Sequence, residues 1–394
     1  MPNSLFARLG ATSILLATAL LALSCGSSKS GTGKNTGKFA AGDGGAGQTN
    51  AAHILVGVQV PGPTPFSTLI SSDGTLTKAN ATVNHHSESN PSAINAAIDP
   101  SGNFFYQAVW PGIWAFTIDH QTGDLVEMSS SPYDDTVNFE SVAMDQAGTF
   151  LYGYGNGQIY AYSIESGTGS LSPVAGSPFG AAPSGQQFAI ATDRIAISQD
   201  DTHLYVATGT GIFGYLIDSN SGALTPITGS PFAASAGSSA ALVAPSSGYL
   251  YETTTDGKSP ILGFSIDPAS GALSAIAGSP FGSNCGAPNL TSPASSKFLF
   301  ASNCGMYQVD QSNGTLTFLF ADPAAANGSF WAVFDPTGAF LWILNSPNPC
   351  FHCDIGPTAF QVDPDTGNLT MVSNSFFMMT NSEVGGIQSL AITQ

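Results

Sequence analysis

Arg194 is the only arginine beyond residue 24, and after residue 51 only Lys78, Lys258 and Lys297 share its charge. A guanidinium presents five donors in a fixed fork and can steady an oxyanion as it develops. The pair His85 and His86, with Glu88 close behind, offers a general base, because imidazole titrates near neutrality and a carboxylate can orient it. Together these four residues could attack a lactone or an activated ester. Asp134, Asp135, Glu140, Asp193, Asp256, Lys258, His352, Asp354 and Glu383 are further polar groups of the connecting segments. The competing reading makes all of them ordinary solvated loop residues. His120 and His203 fall in short turns, away from such a site. The histidine pair and Glu88 could also touch a divalent ion, but neither H-E-x-x-H nor a calcium-loop spacing occurs. Adjacent histidines on an extended chain point to opposite sides. No metal and no cofactor is expected.

Four cysteines lie beyond Cys25. Cys285 and Cys304 flank a predicted hairpin whose turn is Pro293 to Ser296, and their midpoint falls within that turn. They should face each other across neighbouring strands as a disulfide. Cys350 and Cys353 bracket Phe351 and His352; a tight local disulfide is one reading, a free pair or a metal site with His352 and Asp354 the other.

The elements that position these groups begin after a leader. Residues 1–24 carry one base, Arg8, then an apolar stretch too short for a comfortable membrane span. The stretch ends Leu21-Ala22-Leu23-Ser24-Cys25, which resembles a bacterial lipobox with Cys25 as the lipidated residue. An ordinary secretory signal with an incidental cysteine is the alternative. Lipidation implies a cell-envelope address, at the outer membrane in a diderm, with Cys25 holding the chain to the bilayer. Residues 25–51 are Gly, Ser, Thr, Lys and Asn with little to bury, so they read as a flexible tether.

The folded part is 52–394. Only 9% of the chain is charged, while 45 Gly and 25 Pro accompany abundant Ser, Thr, Phe and Tyr, a composition for strands and turns rather than helices. With 42% hydrophobic residues a large core is within reach. The net charge of -18 argues against a nucleic-acid partner, since a phosphate backbone would be repelled.

A repeat organises this region. Ile118-Asp119-His-Gln-Thr-Gly123-Asp-Leu125 returns with small changes at Gly74, Gly169, Gly222, Gly271, Gly314 and Gly367, a period near 49 residues. The acid can accept backbone N–H bonds, and the glycine supplies a positive φ. Upstream of the copies lies a second hairpin, as in Ala96-Ala-Ile-Asp-Pro-Ser-Gly102-Asn-Phe-Phe-Tyr106 and Val142 to Tyr152. Each unit therefore reads as strand A, tight turn, strand B, longer loop, strand C, the acid-to-glycine turn and strand D. Gly-Ser-Pro-Phe segments at Gly176, Gly229 and Gly278 follow strand D, where proline should end pairing and phenylalanine wedge between units. Four antiparallel strands per unit, arranged radially, make a seven-bladed β-propeller, an all-β fold. The first unit lacks a strand A, and 387–393 reads as a strand A with nothing after it. The C-terminal strand should therefore close the ring by joining the N-terminal blade.

This pattern resembles the seven-bladed lactonase family, which includes 6-phosphogluconolactonase-like and carboxymuconate-cyclising propellers, and the resemblance covers 52–394. It implies a site at the central mouth of the face bearing the D–A and B–C loops. Active relatives carry a Pro-His pair before an inner strand and an Asp-x-Gly-x-Asp segment after strand B; here those places read Pro91-Ser92 and Ala108 to Gly112. With one arginine, turnover of a phosphorylated sugar lactone is not expected. The expectation is a monomeric exported propeller that hydrolyses a neutral or weakly charged lactone. The alternative is a non-catalytic surface propeller binding a glycan, a peptide or an envelope protein.

Overall fold

Each copy of the repeat folds into one small antiparallel sheet, and seven such sheets form a propeller. The computed structural model describes residues 53–59, 65–78, 83–84, 92–180, 194–208, 210–232, 239–246, 248–254, 261–282, 287, 289–325, 329–345, 356–373 and 387–393. The leader, Cys25, the tether, His85, His86, Glu88, Cys285, Cys350 and Cys353 lie outside them. The innermost strands of blades 1 to 7 are Ile387–Ile392, Ser92–Ile98, Phe139–Met144, Ile195–Ile197, Ser239–Ser246, Leu290–Thr291 and Ser329–Phe334. Each touches the next, and the seventh touches the first, so the ring is closed. No α-helix occurs among the described residues.

Closure is made by the C-terminal strand, as the strand arithmetic requires. Ile387–Ile392 pairs antiparallel with His53–Gln59, Val56 opposite Ala391, and blade 1 continues outward through Pro65–Ile70 and Leu76–Lys78. Thr393 fastens this joint: Ile54 N–H donates to its Oγ1 at 2.8 Å, and its own N–H donates to the Ile54 carbonyl at 3.0 Å.

The two recurring turns do what their residue types dictate. In the A–B turns, Asp99 and Asp145 accept the N–H of Phe104 and Phe150 at 2.6 and 2.8 Å. In the C–D turns, Asp119 Oδ1 accepts the N–H groups of Gln121 and Thr122, and Gly123 closes the loop at φ 77°. A side chain there would be strained.

Packing between blades supplies the core. Seven buried apolar clusters occur among the described residues, one at each junction of neighbouring blades, so every sheet is covered on both faces. The rings of the Gly-Ser-Pro-Phe segments, among them Phe179 and Phe281, pack into these clusters as expected. The segments also do something unforeseen. Phe179, Phe232 and Phe281 each bridge back by main-chain pairing to the start of strand C, at Ile159, Ile212 and Ile261. The serine two residues before each ring is an acceptor: Ser177, Ser230 and Ser279 Oγ take the N–H of Ala161, Gly214 and Gly263.

Two expectations are corrected. The B–C connections are not uniformly long: in blades 2, 3 and 4 they are two-residue hairpins, between Trp110 and Ile113, Gly155 and Gln158, and Thr208 and Gly211. Asn156-Gly157, both at positive φ, is the residue pair such a tight hairpin favours. Blade 2 also gains a fifth strand, Val83–Asn84, parallel to its outermost strand Leu125–Glu127.

Candidate functional site at the inner strand ends

Arg194 immediately precedes the innermost strand of blade 4, and its backbone is held by Ala207 N–H donating to its carbonyl at 2.9 Å. The side chain is not exposed to solvent. It is 2% exposed, and its Nε lies 3.3 Å from Oε2 of Glu140 on the innermost strand of blade 3. The guanidinium and carboxylate thus join two neighbouring blades beside the central axis.

Glu140 was one of several loop acids in the sequence reading, with no assigned partner. Burial pushes its carboxyl pKa above the ordinary range, while the Arg194 charge pulls it back. A carboxylate so placed sits closer to neutrality than a solvated one, which suits proton transfer. Tyr154, at the end of strand B in blade 3, completes the cluster. Its phenol is pushed up to about 12, chiefly by burial, with Glu140 raising it and Arg194 lowering it, so it is a donor at any physiological pH.

Register explains the placement. Arg194 stands four residues before Ser198, as Asn95 stands before Asp99, Ser141 before Asp145 and Asn289 before Pro293. At this position side chains sew blades together. Asn95 Oδ1 accepts the N–H of Val142 at 2.8 Å, its Nδ2 donates to Ser141 Oγ at 3.2 Å, and Asn289 Oδ1 accepts the N–H of Ala332 at 2.9 Å. The sequence shows polar residues at this position in four blades, but their partners lie a blade away and nothing local marks the seam.

The remaining candidates disperse. Asp134 accepts the Tyr162 hydroxyl, and Asp135 is exposed. His120 is exposed and bonded to Asn103 Oδ1 at 3.1 Å. His203 is no turn residue: it opens strand B of blade 4 and is buried. Asp193, Asp256, Lys258, His352, Asp354 and Glu383 lie outside the described residues, as do His85, His86 and Glu88. Cys304 is half-buried beside the core between blades 5 and 6. No group of three or more metal-binding side chains occurs among the described residues. Glu252, fully buried on strand B of blade 5, was missed altogether.

No family model matches the sequence, and no curated protein resembles it. Solved structures share its fold. A presumptive 6-phosphogluconolactonase from Bacteroides fragilis superposes with a TM-score of 0.62 at 19% identity, covering 87% of this chain and 98% of its own. Another from Bacteroides uniformis gives 0.61 at 16%, covering 86% and 99%. A Lactobacillus plantarum protein gives 0.61 at 18%, covering 87% and 99%. The chain has the architecture of these propellers over nearly their whole length.

Proposed function

We propose that this protein is an exported, lipid-anchored lactonase-like propeller that opens a neutral or weakly charged lactone beside Arg194 and Glu140. The observation that carries the reading is a buried guanidinium paired with a half-buried carboxylate at the axial strand ends, where relatives of this architecture would bind a ligand. Glu140 would take a proton from water as the water oxygen bonds to the lactone carbonyl carbon. Arg194 would steady the oxyanion until the ring C–O bond breaks and the alkoxide recovers the proton, leaving a hydroxy acid. His85, His86 and Glu88 remain candidates for the base or for orienting it. Because Glu140 already offsets the Arg194 charge, an uncharged substrate is favoured over a phosphorylated one.

The test is a lactone-hydrolysis screen with Arg194→Ala, Glu140→Gln and His86→Ala. Loss of turnover in the first two supports the site. Activity that survives Arg194→Ala and His86→Ala refutes it, and no activity on any lactone favours a binding propeller for a glycan, peptide or envelope protein. The address is tested separately, by labelling with a lipid precursor in wild type and Cys25→Ala. The exported setting also supports a Cys285–Cys304 disulfide. Alkylation of either cysteine in the native protein would sink that pairing.

A further inference from the structure

At six blade junctions the glycine of a C–D turn is roofed by a ring from the preceding blade. A Cβ added at Gly74 would strike Phe340, at Gly169 Phe104, at Gly222 Phe150, at Gly314 Tyr249 and at Gly367 Phe298. At Gly271 the roofing ring is His203, with Nε2 only 2.9 Å from where that Cβ would stand. The repeat thus places an ionisable ring where the other five carry Phe or Tyr. His203 is 3% exposed and lies nearly parallel to Tyr205, ring centroids 6.3 Å apart. Its Nδ1 shares a hydrogen bond with Thr202 Oγ1 at 2.7 Å.

We infer that His203 makes the junction between blades 4 and 5 the acid-sensitive joint of the ring. A second proton would charge a ring pressed between Tyr205 and the Gly271 turn, and hydrating that charge requires the turn to move away. Two acids face it, Asp200 from its own A–B turn and Asp267 from the C–D turn of blade 5, and both favour the charged form. Burial outweighs them, so the imidazole is held below its ordinary value of 6.5. The unfolded chain therefore takes up the proton first. The stability that His203 contributes is present above about pH 6.5 and is lost as the pH falls from there to the folded-state value.

Thermal unfolding at pH 7.5 and pH 5.0, in wild type and in His203→Phe, reads this directly. The wild type should lose more Tm on acidification than the variant, by more than about 2 °C. Equal losses overturn the inference. Hydrogen exchange at pH 5.0, corrected for intrinsic rates, should show the Asp267 and Gly271 amides losing protection before the matching Asp218 and Gly222 amides; the reverse order overturns it too. Should His203→Phe fail to fold, NMR titration of the wild-type imidazole decides, because a value at or above 6.5 removes the cause.

Discussion

Among the described residues, a hydroxyl reaches the C–D glycine carbonyl of the next blade at five junctions and not at the other two. Tyr106, Tyr152, Tyr205 and Tyr251 each reach into the next blade and donate to the carbonyl of its C–D glycine, Gly169, Gly222, Gly271 and Gly314, at 2.6, 3.1, 2.8 and 2.6 Å. Between blades 1 and 2 the same carbonyl, that of Gly123, accepts from Ser67 at 2.5 Å. From blade 6 to 7 the corresponding residue is Phe300, which has no hydroxyl, and from blade 7 to 1 it is Trp342. The indole N–H of Trp342 is buried without a hydrogen-bond partner. The junction of blades 6 and 7 is held instead by Asn289 and Asn303, whose Oδ1 atoms accept the N–H groups of Ala332 and Ser329 at 2.9 and 2.8 Å, and that of blades 7 and 1 by apolar packing around the C-terminal strand. A polar fastener is interchangeable with a larger ring only where something else keeps the blades together.

The largest effect should come from removing that strand. Deleting 385–394 strips blade 1 of its inner strand, removes Leu390 from the core and exposes Leu55, Trp331 and Trp342. The expected outcome is loss of the cooperative thermal transition, read by circular dichroism; a retained sharp transition would mean the ring closes without its C-terminus. Next comes the junction of blades 3 and 4, which carries both a tyrosine fastener and the Arg194–Glu140 pair. Glu140→Gln takes the carboxylate away from a buried guanidinium and should cost about 3 kcal/mol, whereas replacing both partners by apolar residues should cost far less. Denaturant midpoints of the three variants test this.

The hydroxyl comparison itself is tested by exchange. Tyr205→Phe leaves the buried Gly271 carbonyl unpaired and should cost about 1–2 kcal/mol. Phe300→Tyr supplies the missing hydroxyl and should be neutral or gain up to about 1 kcal/mol. If both substitutions destabilise equally, the rings matter only for their packing.

The blade count and the turn acids were legible in the sequence because they rest on local chemistry repeated from blade to blade, and the closure because the first unit lacks the strand that the last segment supplies. Asp119 and Gly123 are four residues apart, and their bonds are made within the turn. The fasteners were not legible in the same way. Tyr106 recurs visibly at the end of its hairpin, but its partner Gly169 lies 63 residues on, in the next copy, and nothing local joins them. Arg194 and Glu140 are likewise one blade apart, so their loop-like surroundings implied solvent where the fold brings burial. The tight B–C hairpins were readable, since Asn156-Gly157 is a turn pair in its own right. Val83–Asn84 was not: two residues carry no period, and their pairing depends on an outer edge that only the assembled blade presents.

The smallest effect separates the rim of the blades from their junctions. At the rim, Asp73, Asp119, Asp218, Asp267, Asp310 and Asp363 are held below 3.8 by hydrogen bonds within their own turns. Their contribution is present above that value and lost as the pH falls below it through their folded-state values. Nearer the junctions, burial raises Glu140, Asp145, Asp201 and Asp322, so protonation of these acids favours the folded state instead. The two sets therefore oppose each other, and below the range in which His203 takes up its proton, further acid destabilisation should come from the rim acids. Asp218→Asn should flatten that acid limb slightly, because Asn keeps an acceptor for the Asn220 and Ser221 N–H groups but has no charge to lose. An acid limb unchanged by this substitution would move the cause of acid unfolding from this rim turn to His203 at the junction of blades 4 and 5.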